Sequence, residues 1–378
     1  MIKIVFVTDY LTLTSGGPRF FIDVFKQLAR KGFEISVITG TTDNERIMYI
    51  GKEIDIVDLK VYKPHIFPSD QPINVIKFLS RASYIIKEII KELPFFVLHL
   101  NSHFPNLIPY IIRSYTSIPI VCSIHHLEEI YQFYGLLPKL AKIVFQDMFE
   151  VNSPCTIIHV PSNSTKQKVE HLSIVNRGNV IVIPPGIEIE KYTYISKRTE
   201  KNLFIMIGRL ERRKHYDHAV AAFKIVVRHK PEAKLFIIGD GPLKQYLTRL
   251  IRRLLLEKNV FLLGLVDEET KLDLLSRAQA LIHLGYPEGF GTVLIEALAS
   301  GTPVIAYNVP PLNEIIEHKV TGTLVNKDSI IDLARVIMKF DKYDFHYNKL
   351  REIAKKYDIS IVAKKFELLY KHLVKLQK

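Results

Sequence analysis

Two successive series of short β-branched runs, each run followed by a helix-length stretch, restrict this chain to a parallel α/β architecture. The first series places strands at residues 2–8, 34–39, 96–100, 119–124, 155–161 and 180–184. The second places them at 203–207, 233–238, 260–263, 280–284, 303–306 and 322–325. Runs of this length that are apolar throughout, without alternation, suit strands buried on both faces. The helical segments between them supply the crossovers that parallel strands require. A charged, apolar-poor stretch at 188–202 separates the series, so two doubly wound sheets in tandem are predicted, joined near residue 195. Ligands of such sheets bind beyond the carboxyl ends of the strands, which predicts a site between two facing sheets.

With 378 residues, and roughly 150 per domain as a guide, each half is long enough to bury its own core. Apolar residues make up 48%, which excludes an intrinsically disordered chain. The opening residues MIKIVFVTDY read as a first strand and not as a secretory leader, and Lys77, Arg81, Lys87 and Lys91 interrupt the best candidate for a membrane span. A cytoplasmic protein is the expectation. Cys122 and Cys155 lie in or beside apolar runs and are expected to be buried thiols, not a disulfide framework. The formal charge of +13 favours anionic partners: phosphorylated ligands, anionic lipid surfaces or nucleic acid.

The most informative segment runs from Tyr286 through Pro287, Glu288, Gly289, Phe290, Gly291, Thr292 and Val293 to Glu296. It follows a predicted strand, turns through two glycines and enters a helix. Unpaired N–H groups and the positive dipole end of such a helix suit a phosphate. Glu288 and Glu296 bracket that anion position, where one carboxylate would accept hydrogen bonds from sugar hydroxyls and the other from a ribose. Equally, Glu288 reads as a surface residue and Glu296 as one that complements the dipole. In a second segment, Arg209 and Lys214 follow the strand at 203–207, where two cations suit a diphosphate and the charge that grows on it as it departs, although four cations in six residues read more readily as a solvated basic loop. Glycines also follow other strand ends, at Gly239-Asp-Gly-Pro242 and Gly264-Leu265, and Ser15-Gly16-Gly17 turns into the first helix. His125 and His126 end a strand, a position that suits either one imidazole directed at the predicted cleft or a hydrogen-bonded structural pair. There is no dinucleotide-binding glycine fingerprint, no P-loop and no nucleophile elbow. No two aspartates are separated by a single residue, which removes a common device for holding a divalent cation on a nucleotide and leaves charge neutralisation to Arg209 and Lys214.

In this order the segments resemble glycosyltransferase family 4, over residues 1 to about 373. The resemblance rests on Glu288-x7-Glu296 with the Gly-Phe-Gly turn intact, Gly208-Arg209 with Lys214, Gly239-Asp-Gly-Pro242, and Pro185-Gly186. It implies a GT-B fold: an acceptor domain at 1–195, a nucleotide-sugar donor domain at 196–345, and helices at 346–378 that cross back onto the first domain. It implies that Arg209 and Lys214 bind the donor diphosphate, that Glu296 binds the ribose, and that Glu288 with Gly289, Phe290 and Gly291 holds sugar and phosphate. Thr292, Val293 and Leu265 complete the donor-binding set, Gly16 and Gly17 form a loop closing over the donor, and His125 is the active-site histidine, with His126 as its alternative. It also implies retention of anomeric configuration, transfer of a hexose from UDP or GDP to a hydroxyl, no cofactor and no metal. The acceptor expected is a glycan or a lipid-linked glycan. Residues 74–93 carry apolar positions at 75, 79, 82, 86, 89 and 93 with lysines elsewhere, which suits either packing on the sheet or peripheral contact with an anionic membrane. The rival activities are a sugar-nucleotide epimerase using the same fold and a nucleic-acid glucosyltransferase, although no aromatic-basic nucleic-acid motif is present.

Overall fold

The computed structural model describes residues 1–11, 16–42, 54–62, 72–93, 95–125, 127, 148–175, 178–192, 200–345 and 347–377. The chain divides into two compact units, Met1–Gly186 with Ile359–Lys378, and Ile187–Asp358. His126 and the expected junction near 195 lie outside the described residues.

The first unit is built on a seven-stranded sheet in the order β3-β2-β1-β4-β5-β6-β7. Its elements are β1 (Lys3–Thr8), α1 (Gly16–Ala29), β2 (Glu34–Thr39), β3 (Asp55–Asp58), α2 (Pro72–Glu92), β4 (Val97–Asn101), β5 (Ile120–Ser123), β6 (Ile157–Val160), α3 (Asn163–Leu172) and β7 (Val180–Val182). Every pairing is parallel; Lys3 opposes Glu34 and Ile4 opposes Val97. Successive side chains point to opposite faces, so the continuous apolar runs feed two cores. Ile4, Phe6, Val97 and Val121 meet α1, while Val5, Val7, Leu98, Leu100, Ile120 and Cys122 meet α2. Gly16 and Gly17, expected as a loop, form the first residues of α1. On α2 the positions expected as an apolar face pack on the sheet, leaving Ile73, Ile76 and Tyr84 exposed. Both cysteines are buried and free.

The second unit holds a six-stranded, all-parallel sheet in the order β10-β9-β8-β11-β12-β13. Its elements are β8 (Glu200–Ile207), α4 (Tyr216–Val226), β9 (Lys234–Ile238), α5 (Lys244–Arg253), β10 (Val260–Gly264), α6 (Glu268–Arg277), β11 (Ala278–His283), α7 (Thr292–Ala299), β12 (Val304–Tyr307), β13 (Gly322–Val325), α8 (Ile330–Lys339) and α9 (Tyr347–Lys355). A single apolar core joins both faces of the sheet to its helices.

The last helix, α10 (Ile359–Lys375), belongs to the first unit. Val362, Ala363, Phe366, Tyr370 and Leu373 bury against α1 and the sheet, with Phe366 5.7 Å from Phe21 between ring centroids. The whole segment 346–378 was expected to return, but α9 stays in the second unit. Leu350 and Ala354 are fully buried in its core, and α9 packs on α7.

A buried polar chain ties α10 to the first sheet. His159 Nε2 donates to the Ile183 carbonyl (2.8 Å), so its Nδ1 accepts from Ser123 Oγ (2.7 Å). Ser123 Oγ then accepts from His99 Nε2 (2.7 Å), and His99 Nδ1 accepts from the Tyr370 hydroxyl (2.6 Å). Each partner fixes the proton of the next. Burial keeps both imidazoles neutral, lowering His159 to about 4.

Candidate functional site

In an open parallel sheet the crevice lies where the strand order reverses. In the second unit that point is between β8 and β11, which pair in parallel. Beyond β8 the chain passes through Gly208 and Arg209 into a 3-10 turn at Arg212–Lys214; beyond β11 it passes from His283 to Glu288. The two segments are joined by ion pairs. Arg209 Nε contacts Glu211 (2.6 Å), and Glu211 contacts Arg213 Nε (3.1 Å). Arg213 Nη1 contacts Glu288 Oε1 (3.2 Å), and Lys214 Nζ pairs with Glu288 Oε2.

Glu288 and Lys214 are each mostly buried, with side chains 13% exposed, whereas Arg209 is 53% exposed. Arg209 is thus at the surface and Lys214 largely beneath it. Burial works against the charge of Glu288, but Lys214 and Arg213, with His283, hold its carboxyl well below the usual carboxylate range. For Lys214, burial and the neighbouring Arg213 outweigh Glu288, and its pKa falls. His283, buried and 3.5 Å from Glu288, is lowered by burial and then by Lys214, and stays neutral. The carboxylate reaches this position because residue 285 is glycine: a Cβ there would lie 2.7 Å from Glu288 Oε2 and 2.9 Å from His283 Nε2.

Past Glu288 the chain enters α7 through Gly291, the N-cap residue, whose φ of 94° lies in the left-handed region that glycine occupies without strain. Gly291 has no side chain to cap this helix, so the N–H groups of its first turn, at Thr292 and Val293, receive no capping bond from it. Phe290 beneath the turn is buried, 5.5 Å from Tyr357. Glu296 lies one turn into the helix and meets Lys271 of α6 (3.3 Å), which also meets Glu268 (2.9 Å). Leu265, just past β10, is 80% exposed.

The structure therefore brings Arg209, Lys214 and Glu288 into one network, with Glu296 on the helix that follows. Gly16, Gly17 and His125 belong to the other unit. There His125, half-buried, donates from Nε2 to Asn101 Oδ1 (2.5 Å), and Asn101 donates from Nδ2 to Thr8 (3.1 Å). The reversal point of the first sheet, between β1 and β4, holds a second polar cluster. Asp9 is buried, with Oδ1 lacking a hydrogen-bond partner among the described residues, beside Ser102, while His103 meets Glu150 (2.7 Å).

Comparison with known proteins decides the family. The model described as "Glycosyl transferases group 1" matches residues 190–357, and that described as "Glycosyltransferase Family 4" matches residues 14–191. The chain belongs to glycosyltransferase family 4. It is a transferase of the GT-B fold. An uncharacterized glycosyltransferase of Methanocaldococcus jannaschii is 28% identical over 91% of both chains. The alpha-monoglucosyldiacylglycerol synthase of Streptococcus pneumoniae is 27% identical over 70% of this chain and 63% of its own. Among solved structures, Anabaena HepE in complex with UDP and glucose superposes with a TM-score of 0.75 at 18% identity, covering 98% of this chain and 100% of the other. Sucrose-phosphate synthase of Thermosynechococcus elongatus gives 0.80 at 18% identity, with 99% of each chain covered.

Four residues of this glycosyltransferase's network escape a reading of the sequence. Arg213 and Glu211 stand among other charges, and nothing local marks them as the links between Arg209 and Glu288. His283 is one polar residue within a strand. Lys271 is separated from Glu296 by 25 residues, and only the folded chain brings the two side chains together.

Proposed function

We propose that the protein moves a hexose from a nucleoside-diphosphate sugar to a hydroxyl of a glycan or lipid-linked acceptor, with retention of configuration and without a metal. The observation that carries this reading is the cluster of Lys214, Arg213 and Glu288 at the reversal point of the second sheet, beside the uncapped start of α7. The departing group is a diphosphate, so charge stabilisation is the main task. Arg209 and Lys214 neutralise it, with the N–H groups of Gly291, Thr292 and Val293. Glu288 and the backbone of Gly289 and Phe290 hold the sugar, Glu296 binds the ribose hydroxyls, and Leu265 lies along the base. The acceptor hydroxyl approaches on the face the diphosphate leaves and gives its proton to the departing phosphate oxygen. In the first unit we assign His125, held as the Nε2–H tautomer by Asn101, and the glycines at the start of α1 to substrate binding.

HepE was crystallised with UDP and glucose, which supports a UDP-sugar donor, and the pneumococcal relative is named for a glucosylated diacylglycerol, which supports a lipid-borne acceptor. Among the described residues, no helix is long and apolar enough to cross a membrane. Peripheral contact is assigned to the outer side of α2, where Ile73, Ile76 and Tyr84 are exposed beside Lys77.

The test is a panel of UDP-, GDP- and ADP-sugars with glycan and lipid acceptors, followed by NMR of the product's anomeric proton. Arg209→Ala should lower kcat/KM by roughly 10²–10³, and activity should persist in excess EDTA. Undiminished transfer by Arg209→Ala, an inverted product or strict dependence on Mn²⁺ would each overturn the corresponding part. Interconversion of the free donor without acceptor would select the epimerase.

A further inference from the structure

We infer that the second unit carries a transition-metal site made by His215, His218 and Asp328, next to the proposed diphosphate site but separate from its chemistry. One ligand atom from each of the three residues can be chosen so that all lie within 4.8 Å of one another. Zinc bonds to nitrogen and oxygen are about 2.0–2.2 Å long, so two ligands on a tetrahedral ion stand roughly 3.4 Å apart. His218 Nδ1 and Asp328 Oδ1 are already 3.8 Å apart. Small side-chain rotations close the remainder.

The surroundings prepare the imidazoles as ligands. His215 Nε2 faces the Tyr286 carbonyl (3.3 Å) and donates its proton there, which leaves the Nδ1 lone pair for a metal. The His215 and His218 rings lie 4.7 Å apart at 34°. Without an ion, the Tyr307 hydroxyl fills the His218 Nδ1 lone pair (2.6 Å); the metal replaces that hydrogen bond. Two of the three ligands sit in left-handed backbone, His215 at φ 49° and Asp328 at φ 62°, so neither is placed by a regular element. Two nitrogens and one carboxylate select a borderline ion such as Zn²⁺, Co²⁺ or Ni²⁺ over Mg²⁺ or Ca²⁺, which prefer all-oxygen shells. Water completes the coordination.

The position gives the ion a role. His215 directly follows Lys214, His218 lies in the first turn of α4, and Asp328 follows β13. Tyr286, which receives the His215 proton, stands two residues before Glu288. A bound ion would tie the ends of β8 and β13 together and stiffen the loop that carries Lys214. This binding needs no donor sugar and no step of transfer.

The full-length chain, stripped with EDTA and dialysed, is titrated with ZnCl₂ by calorimetry and with CoCl₂ by visible absorption. One ion per chain should bind, and Tm should rise by about 5–10 °C at a hundredfold excess over Kd. His215→Ala/His218→Ala should lose this site, weakening binding tenfold or more and removing the Co²⁺ bands, whereas His229→Ala, an exposed histidine elsewhere, should keep both. Should the double variant fail to fold, Asp328→Asn, on a side chain 56% exposed, should itself weaken Zn²⁺ binding about tenfold. Wild-type affinity in the folded double variant, or in Asp328→Asn, overturns the assignment.

Discussion

Asp9 permits a stability prediction in which size and sign both follow from the structure. Its carboxyl is buried at the end of β1, and burial, opposed by the neighbouring Ser102, His103 and Phe104 N–H, raises its pKa from 3.8 to about 7. The folded chain therefore retains a proton that the unfolded chain has released. That contribution is fully present below pH 3.8, declines as pH rises through the window to about 7, and is lost above it. The interval is worth roughly 4 kcal/mol at about 1.4 kcal/mol per pH unit. Asparagine has nearly the same shape and no charge. The polar surroundings of Ser102, His103 and the Phe104 N–H favour an amide less than a carboxylate, by about 1–2 kcal/mol. Asp9→Asn should thus stabilise the first unit by about 2–3 kcal/mol at pH 8 and have little effect or a small cost at pH 4. Urea unfolding of the full chain, followed at both pH values by a probe in the first unit, measures the difference. A variant no more stable than wild type at pH 8, or one whose advantage does not change with pH, would refute the reasoning.

Lys214→Met leaves Glu288 with Arg213 as its strong partner, and should cost about 1–3 kcal/mol of stability and roughly 10²–10³ in kcat/KM. Adding Glu288→Gln should restore stability without restoring transfer, and wild-type kcat/KM in the single variant would sink the diphosphate assignment. Gly285→Ala pushes a methyl group into the place of the Glu288 carboxylate; kcat/KM should fall about 10- to 100-fold with unchanged circular dichroism, and undisturbed kinetics would contradict the close approach. His159, lowered to about 4 by burial, stabilises the fold fully above its unfolded pKa of about 6.5. That stability is lost as pH falls from there to about 4, so Tm should drop over this window, and a His159→Gln chain with the same acid slope would speak against the buried neutral imidazole.

The strands were legible because they are buried on both faces, and twelve of them fall within three residues of the apolar runs that predict them. The thirteenth, β3, reads Asp-Ile-Val-Asp: an edge strand, half-exposed and too short to form a run. The unit boundary was displaced because Ile187, Ile189 and Tyr192, scattered among charges, join the second core. α9 was assigned wrongly because its sequence is as basic as that of α10, and only the burial of Leu350 and Ala354 separates them. At the candidate site, glycine turns and cations mark strand ends, and these features are local. The burial of Lys214 and the links through Glu211, Arg213, His283 and Lys271 depend on strands far apart in sequence being neighbours in the sheet, and no spacing encodes them.

The return of α10 bears on how the protein is made. Tyr370 closes the histidine chain of the first sheet, and Phe366 is fully buried in a core whose other members begin at Ile4. Every residue of the second unit lies between them in the sequence. On the ribosome the first unit emerges first yet lacks the helix that covers one of its faces until the second unit has been synthesised. The second unit has no such dependence, since its two ends meet where the Ile187 N–H donates to the Tyr357 carbonyl (3.0 Å). The order of synthesis and the order of completion are therefore reversed. During the interval, the apolar side of α1 and the strands beneath it must be shielded by a chaperone or by provisional contacts that α10 later displaces.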